Sequence, residues 1–260
     1  MRQRVAVCAS LCIFLLVLPI FGRQSQSNLA NDSQAIAILQ KSVASLGVLP
    51  ADSTASGSLS ITVGPDTMAG SIQIQTRGTG QSLEQQTTKE GTEQIVYSHG
   101  YASTTNSSAK KSMSSLELSS SSQSALFPLP LLSAVVSSQD TAYQYIQLET
   151  INGIDCNHIR TWNTFSSQPD MQYLSPFTLR DIWIDTTTNL PVKLGYSLRA
   201  GSGATPSFSV EVFYSGYKLV NGVQFPFQIS ESLNGTPWKN ITISNVSINT
   251  GLTDSTFALQ

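Results

Sequence analysis

The chain has 260 residues, only 12% of them charged, with 14 Lys and Arg against 16 Asp and Glu. A net charge of −2 without a clustered cationic face excludes a nucleic-acid partner. Of three cysteines, Cys8 and Cys12 sit at the very start, so the fold must rest on a hydrophobic core and not on disulfides.

The chain opens Met1-Arg2-Gln3-Arg4, then runs apolar from Val5 to Phe21, broken by Ser10 and closed by Pro19, before Gly22, Arg23 and polar residues. A positive start, a short apolar stretch and small residues after it predict a secretory signal peptide over residues 1–27, cut after Gly22 or Ser27. A membrane anchor is the competing reading, but it needs about 20 apolar residues and this run is shorter. The expected product is residues 28–260 as one exported domain, in the periplasm or cell envelope, with peripheral or no membrane contact. Losing Arg2, Arg4 and Arg23 leaves 11 basic residues against 16 acidic ones, a charge of −5, and Cys156 as the one remaining thiol.

Asn31-Asp32-Ser33 can cap a helix, and Ile36, Leu39, Val43 and Leu46 follow at three- and four-residue spacing until Gly47. From Ser56 the period becomes two: Leu59, Ile61 and Val63 alternate with polar residues, as do Ile72 and Ile74. Strands are also expected at Gln81–Thr88, Thr92–Ser98 and Tyr101–Thr105. Residues 106–124, rich in Ser, read as a loop. Pro128 and Pro130 then suit the start of a short helix through Leu131–Val136, because proline is tolerated in the first turn.

The second half alternates at Ala142–Leu148, Cys156–Trp162, Thr178–Asp185, Pro191–Arg199, Ser207–Tyr214, Val223–Ser230 and Trp238–Ile248. Asn152-Gly153, Asn221-Gly222 and Asn234-Gly235 are hairpin turns, since both residues tolerate positive φ. About ten to twelve antiparallel strands with two short helices result, without the α/β alternation of a parallel sheet.

Several stretches resemble outer-membrane lipoprotein carriers of the LolA- and LolB-like superfamily. The opening helix ending at Gly47 is similar to theirs. Leu179-Arg180-Asp181-Ile182-Trp183-Ile184-Asp185 with Leu190-Pro191-Val192 resembles their central hairpin. Val212–Pro226 resembles the next hairpin, and Leu252–Phe257 the closing segment. The resemblance implies a mainly β, α+β fold: a curved antiparallel sheet forming an incomplete barrel, with the N-terminal helix and a short central helix on its concave side. It further implies a lipid or acyl-chain ligand in that concavity, or an envelope protein as partner. No residue matches the carriers' gating arginine; Arg77 lies in that region in a different context.

Residues suited to catalysis are scarce. Cys156 and His158 would share one face of a strand ~6.6 Å apart, but a zinc site needs three or four converging ligands and nothing nearby completes it. Asp181 and Asp185 lie ~13 Å apart along a strand, beyond the ~5–9.5 Å of paired glycosidase carboxylates. Trp183 shares their outer face and reads as a cross-strand packing partner. No Gly-x-Ser-x-Gly elbow and no glycine-rich phosphate loop occurs, so neither an enzyme nor a cofactor is expected. The candidate site is the apolar face: Leu59, Ile61, Ile72, Ile74, Val210, Val212, Ile241 and Ile243. If helices fill the concavity completely, the alternative is a structural or protein-interaction module with a self-filled core.

Overall fold

The structure, a computed structural model, describes residues 31–199 and 207–259. The expected signal peptide, residues 1–27, lies outside the described residues.

Helix α1 (Ser33–Leu46) starts where Asp32 caps it, its Oδ1 accepting from the backbone N–H groups of Gln34 and Ala35. Asp32 Oδ2 accepts from Tyr145 N–H at 2.9 Å, so the same carboxylate ties the helix to the sheet. Its buried stripe is Ala35, Leu39, Ser42 and Leu46, one step round from the predicted Ile36 and Val43, which flank it half-buried.

Six strands follow: β1 (Asp52–Val63), β2 (Asp66–Arg77), β3 (Gln81–Thr88), β4 (Gly91–Ser98), β5 (Tyr101–Thr105) and β6 (Lys110–Ser112). Helices α2 (Ser115–Ser120) and α3 (Pro128–Ser137) come next. The second set comprises β7 (Thr141–Ile151), β8 (Ile154–Asn163), β9 (Arg180–Asp185), β10 (Pro191–Arg199), β11 (Ser207–Val220), β12 (Val223–Leu233) and β13 (Thr236–Ile248). All thirteen form one antiparallel sheet, ordered β6-β5-β4-β3-β2-β1-β13-β12-β11-β10-β9-β8-β7. It is a curved half-barrel that does not close, with β6 and β7 as its two edges. Both meanders pair in sequence order, and a single non-local seam, β1 with β13, joins them.

The three Asn-Gly turns adopt positive φ at both residues, and His99-Gly100 makes a fourth such turn. Residues 106–124 are not a plain loop: Lys110–Ser112 pairs with β5, and Ser114 and Glu117 form a reciprocal capping box at the start of α2. A 3-10 segment, Pro169–Phe177, fills the connection from β8 to β9.

The main core lies on the concave face, where Leu39 and Leu46 of α1 and Leu129, Leu131 and Leu132 of α3 meet Ile159, Ile182, Leu194, Ile229 and Ile241 of the sheet. At the seam the ladder is bulged on β13, where Ser244 is an extra residue between the partners of Ser56 and Gly57. A Cβ on Gly57 would lie 2.1 Å from Thr242 O, so no side chain fits there. Beyond β13 the chain is fastened to β1 by Asp52, whose carboxylate accepts from Thr250 N (2.7 Å), Thr250 Oγ1 (2.8 Å), Gly251 N (2.9 Å) and Leu252 N (3.2 Å). Burial pushes this carboxyl up, but the hydrogen bonds outweigh it and hold it below its ordinary value of 3.8.

A depressed folded value means that the clamp's stabilisation is present above pH 3.8 and fades as pH falls through the folded value. Asp52→Asn is expected to cost about 2 kcal/mol at neutral pH by urea unfolding. The gap to the parent protein should close in acid, and amide exchange should quicken first at residues 250–252.

Candidate functional site

The concave face is not filled uniformly. Under α3 and α1 it is packed solid, and Leu59, Ile72, Val212, Ile241 and Ile243 contribute to that core. Towards the β1–β2 and β12–β13 turns a cavity of about 600 Å³ opens between the sheet and the segment that carries α2. Ile61, Ile74 and Val210 stand on its wall. Of the eight apolar residues expected to bind a ligand, the fold therefore places three on the cavity wall and the other five in the main core.

The roof is the segment from α2 to Leu126. Arg180 on β9 pins it, donating to Ser121 O at 2.8 Å and to Ser122 Oγ at 3.3 Å. Tyr214 Oη donates to Ala125 O, and Tyr143 Oη donates to Val135 O at 2.6 Å where α3 ends. Lys111 closes one flank through Glu117 at 2.6 Å. Apolar side chains, Val63, Met68, Leu198 and Phe208 among them, line the cavity towards solvent, with Val63 58% and Phe208 37% exposed.

Deeper on the wall stands a charged cluster. Lys239 on β13 faces Glu231 across the β12–β13 pair, and its ammonium lies 3.3 Å from Glu231 Oε2 and 3.2 Å from Glu84 Oε1 on β3. The Lys239 side chain is 4% exposed and that of Glu231 7%. Burial pulls the ammonium's pKa down, yet the two carboxylates outweigh it, so Lys239 is held protonated. Burial also pushes the Glu231 carboxyl up, a shift that Lys239 opposes. Burial raises the phenols on the same wall, Tyr97 to about 12 and Tyr196 well above its ordinary value.

This cluster was not anticipated from the sequence, though its signal is there. Glu231 has the same parity as Phe227 and Ile229, and Lys239 the same as Ile241 and Ile243, so both charges occupy inward positions.

The outer face carries the other residues singled out from sequence. Trp183, with Cys156 and Val192, forms a small apolar cluster there, while Ile182 and Ile184 face the main core. The Trp183 ring stacks on His158 at 4.3 Å, its Nε1 donates to Glu149 at 2.9 Å, and the Lys193 ammonium lies 4.3 Å from its centre. His158 is buried, not half-exposed as a strand imidazole would be, because Glu149 and Asp181 bracket it at 2.7 Å and 2.8 Å. Asp181 also binds Arg160. Arg77 donates to Asp254 at 2.5 Å and to Gln81 at 2.9 Å and takes no part in the cavity wall. Among the described residues no helix is long and apolar enough to cross a membrane.

The fold is shared with several solved structures. It matches a domain assigned to outer membrane lipoprotein sorting from Vibrio parahaemolyticus with a TM-score of 0.59, at 14% identity over 86% of this chain and 96% of that one. A LolA superfamily protein from Nitrosomonas europaea gives 0.56, at 14% identity over 86% and 97% of the two chains. A DUF1329 family protein from Desulfovibrio piger gives 0.56, at 15% identity over 87% and 98%. No protein-family model matches the sequence, and the search of curated proteins found no match.

Burial pulls the His158 pKa down, but the hydrogen bonds that its ring donates to Asp181 and Glu149 win and raise it above 6.5. A raised folded value means that the stabilisation is full below pH 6.5 and fades as pH rises through the folded value. His158→Gln is expected to cost about 2 kcal/mol at mildly acidic pH. The difference should shrink in alkaline solution, as chemical denaturation across a pH series would show.

Proposed function

We propose that this protein is a non-catalytic, exported envelope protein that binds a lipid or other apolar molecule in the concavity of its half-barrel. Residues 1–27 would be its signal peptide and residues 28–260 its working domain. The observation that carries the reading is the cavity of about 600 Å³ left open between the sheet and α2, with Ile61, Ile74 and Val210 on its wall. A core that filled itself would leave no such space, because protein interiors close-pack with few voids larger than a water molecule. The size falls within the range of small-molecule sites, and the apolar lip suits a chain of methylenes. A ~16-carbon acyl chain buried there would gain on the order of 10 kcal/mol before ordering costs, at ~0.8 kcal/mol per methylene. Such a site works by shape and dryness, and the sequence contains neither a Gly-x-Ser-x-Gly elbow nor a glycine-rich phosphate loop. The shared fold with LolA-like proteins and the lipoprotein-sorting domain supports the same reading. Fold by itself does not transfer function, so the cavity is the main support.

The test is native mass spectrometry of the exported protein for co-purified apolar molecules, with displacement of the neutral dye Nile red as readout. Ile61→Trp would fill the cavity and is expected to weaken dye binding about tenfold or more, equivalent to ~1.4 kcal/mol. Ile243→Val, in the self-packed core, should leave binding unchanged. Full occupancy of the dye in the Ile61→Trp protein would sink the proposal.

A further inference from the structure

The cavity wall is more specific than a greasy hollow. Its described residues include four carboxylates, Glu84, Glu93, Glu117 and Glu231, against three cations, Lys111, Arg199 and Lys239. Neither lysine stands ready for an anion, and the arginine is held against an aromatic ring. Lys111 is spent on Glu117 at 2.6 Å, and the Arg199 guanidinium lies over the Phe177 ring at 4.7 Å. Lys239 is shared by Glu84 and Glu231, so the deepest charged group has two carboxylates to one ammonium.

The same cavity is lined by hydroxyls without protein partners. Ser82, 4% exposed, lines the cavity, and its Oγ has no hydrogen bond; the buried Oγ of Ser124 on the roof is in the same state. Ser124 holds a positive φ of 57° at this point. Buried polar atoms are nearly always paired, and each hydroxyl can donate once and accept twice. Orphaned hydroxyls and carboxylates with spare lone pairs together make a receptor for hydrogen-bond donors. The polarity also runs in an unusual direction, with Val63 and Phe208 exposed at the lip and Lys239 and Glu231 covered further in.

From this arrangement we infer that the molecule held here is an amphiphile whose polar head is neutral and hydroxyl-bearing, and that this head docks at Glu84, Glu231 and Lys239 while its chain lies towards Ile61, Met68 and Phe208. The inference rests on the lipid-binding reading and narrows it: an anionic head, such as a fatty-acid carboxylate, docked at this cluster would meet two carboxylates and a lysine they already share. A glycerol ester supplies hydroxyls that Glu84 and Glu231 can accept from and that Ser82 and Ser124 can join.

The experiment is calorimetric titration of the delipidated protein at pH 8 with 1-monopalmitoylglycerol and, separately, with palmitate, both below their aggregation limits. The two ligands share one acyl chain and differ in the head. The glycerol ester is expected to bind at least tenfold tighter. Glu231→Gln and, as a second variant, Glu84→Gln each remove the surplus charge, and either folded variant should bring palmitate to within about threefold of the ester. Palmitate binding as tightly as the ester to the parent protein, or a preference unchanged in both folded variants, would overturn the assignment of the head and leave lipid binding standing. Absence of binding by both ligands, with the protein folded, would remove the lipid-binding reading and this inference together.

Discussion

The structure depends on one geometric constraint: the two edge strands of a thirteen-stranded open sheet, β6 and β7, are consecutive in the chain. At about 4.8 Å per strand, those edges would be roughly 58 Å apart along a flat sheet. The link is residues 113–140, and α2 and α3 take up 16 of its 28 residues. At ~1.5 Å per helical residue and ~3.3 Å per extended one it reaches about 64 Å when taut. A flat sheet would leave almost nothing for rising off one edge and descending to the other. Curving the sheet shortens the path from rim to rim and lays the link across the hollow, where α3 can bury its leucines.

The composition of that crossing segment decides where the hollow is full and where it is empty. Its second half, Pro128–Ser137, presents Leu129, Leu131, Leu132 and Val135 to the sheet and packs solid. Its first half runs Ser-Leu-Glu-Leu-Ser-Ser-Ser-Ser-Gln-Ser, side chains mostly too short to reach the opposite wall. Arg180 and Tyr214 hold this stretch in place by its backbone carbonyls, so it bridges the space instead of collapsing into it. The cavity follows from small residues suspended by anchors outside their own segment.

The meander was legible because period-two alternation and Asn-Gly turns are local signals; β3, β5 and β10 occupy the very spans the pattern marked. The strand and helix within residues 106–124 escaped notice because serine disguises both a three-residue edge strand and a short helix, although Ser114 and Glu117 carry a capping-box spacing. The apolar face was visible, but which part of it is bare was not. Ile74 and Ile72 look alike in sequence, and only the placement of the crossing segment leaves the first on the cavity wall. The buried Lys239 cluster needed a different habit of reading, in which a charge at an inward position is a feature to be explained.

The seam between β1 and β13 has a consequence for how the chain matures. Its partners, such as Ser53 and Ile248, are separated by nearly the whole described length, whereas every other strand pair joins neighbours in sequence. Each meander can zip up by itself as it emerges, but the middle of the sheet stays a pair of bare backbone rims until the last strand arrives. Bare rims of this kind invite pairing with any passing strand. A protein released before its final thirty residues would therefore be two sticky halves, and its safe handling falls to whatever escorts it during synthesis.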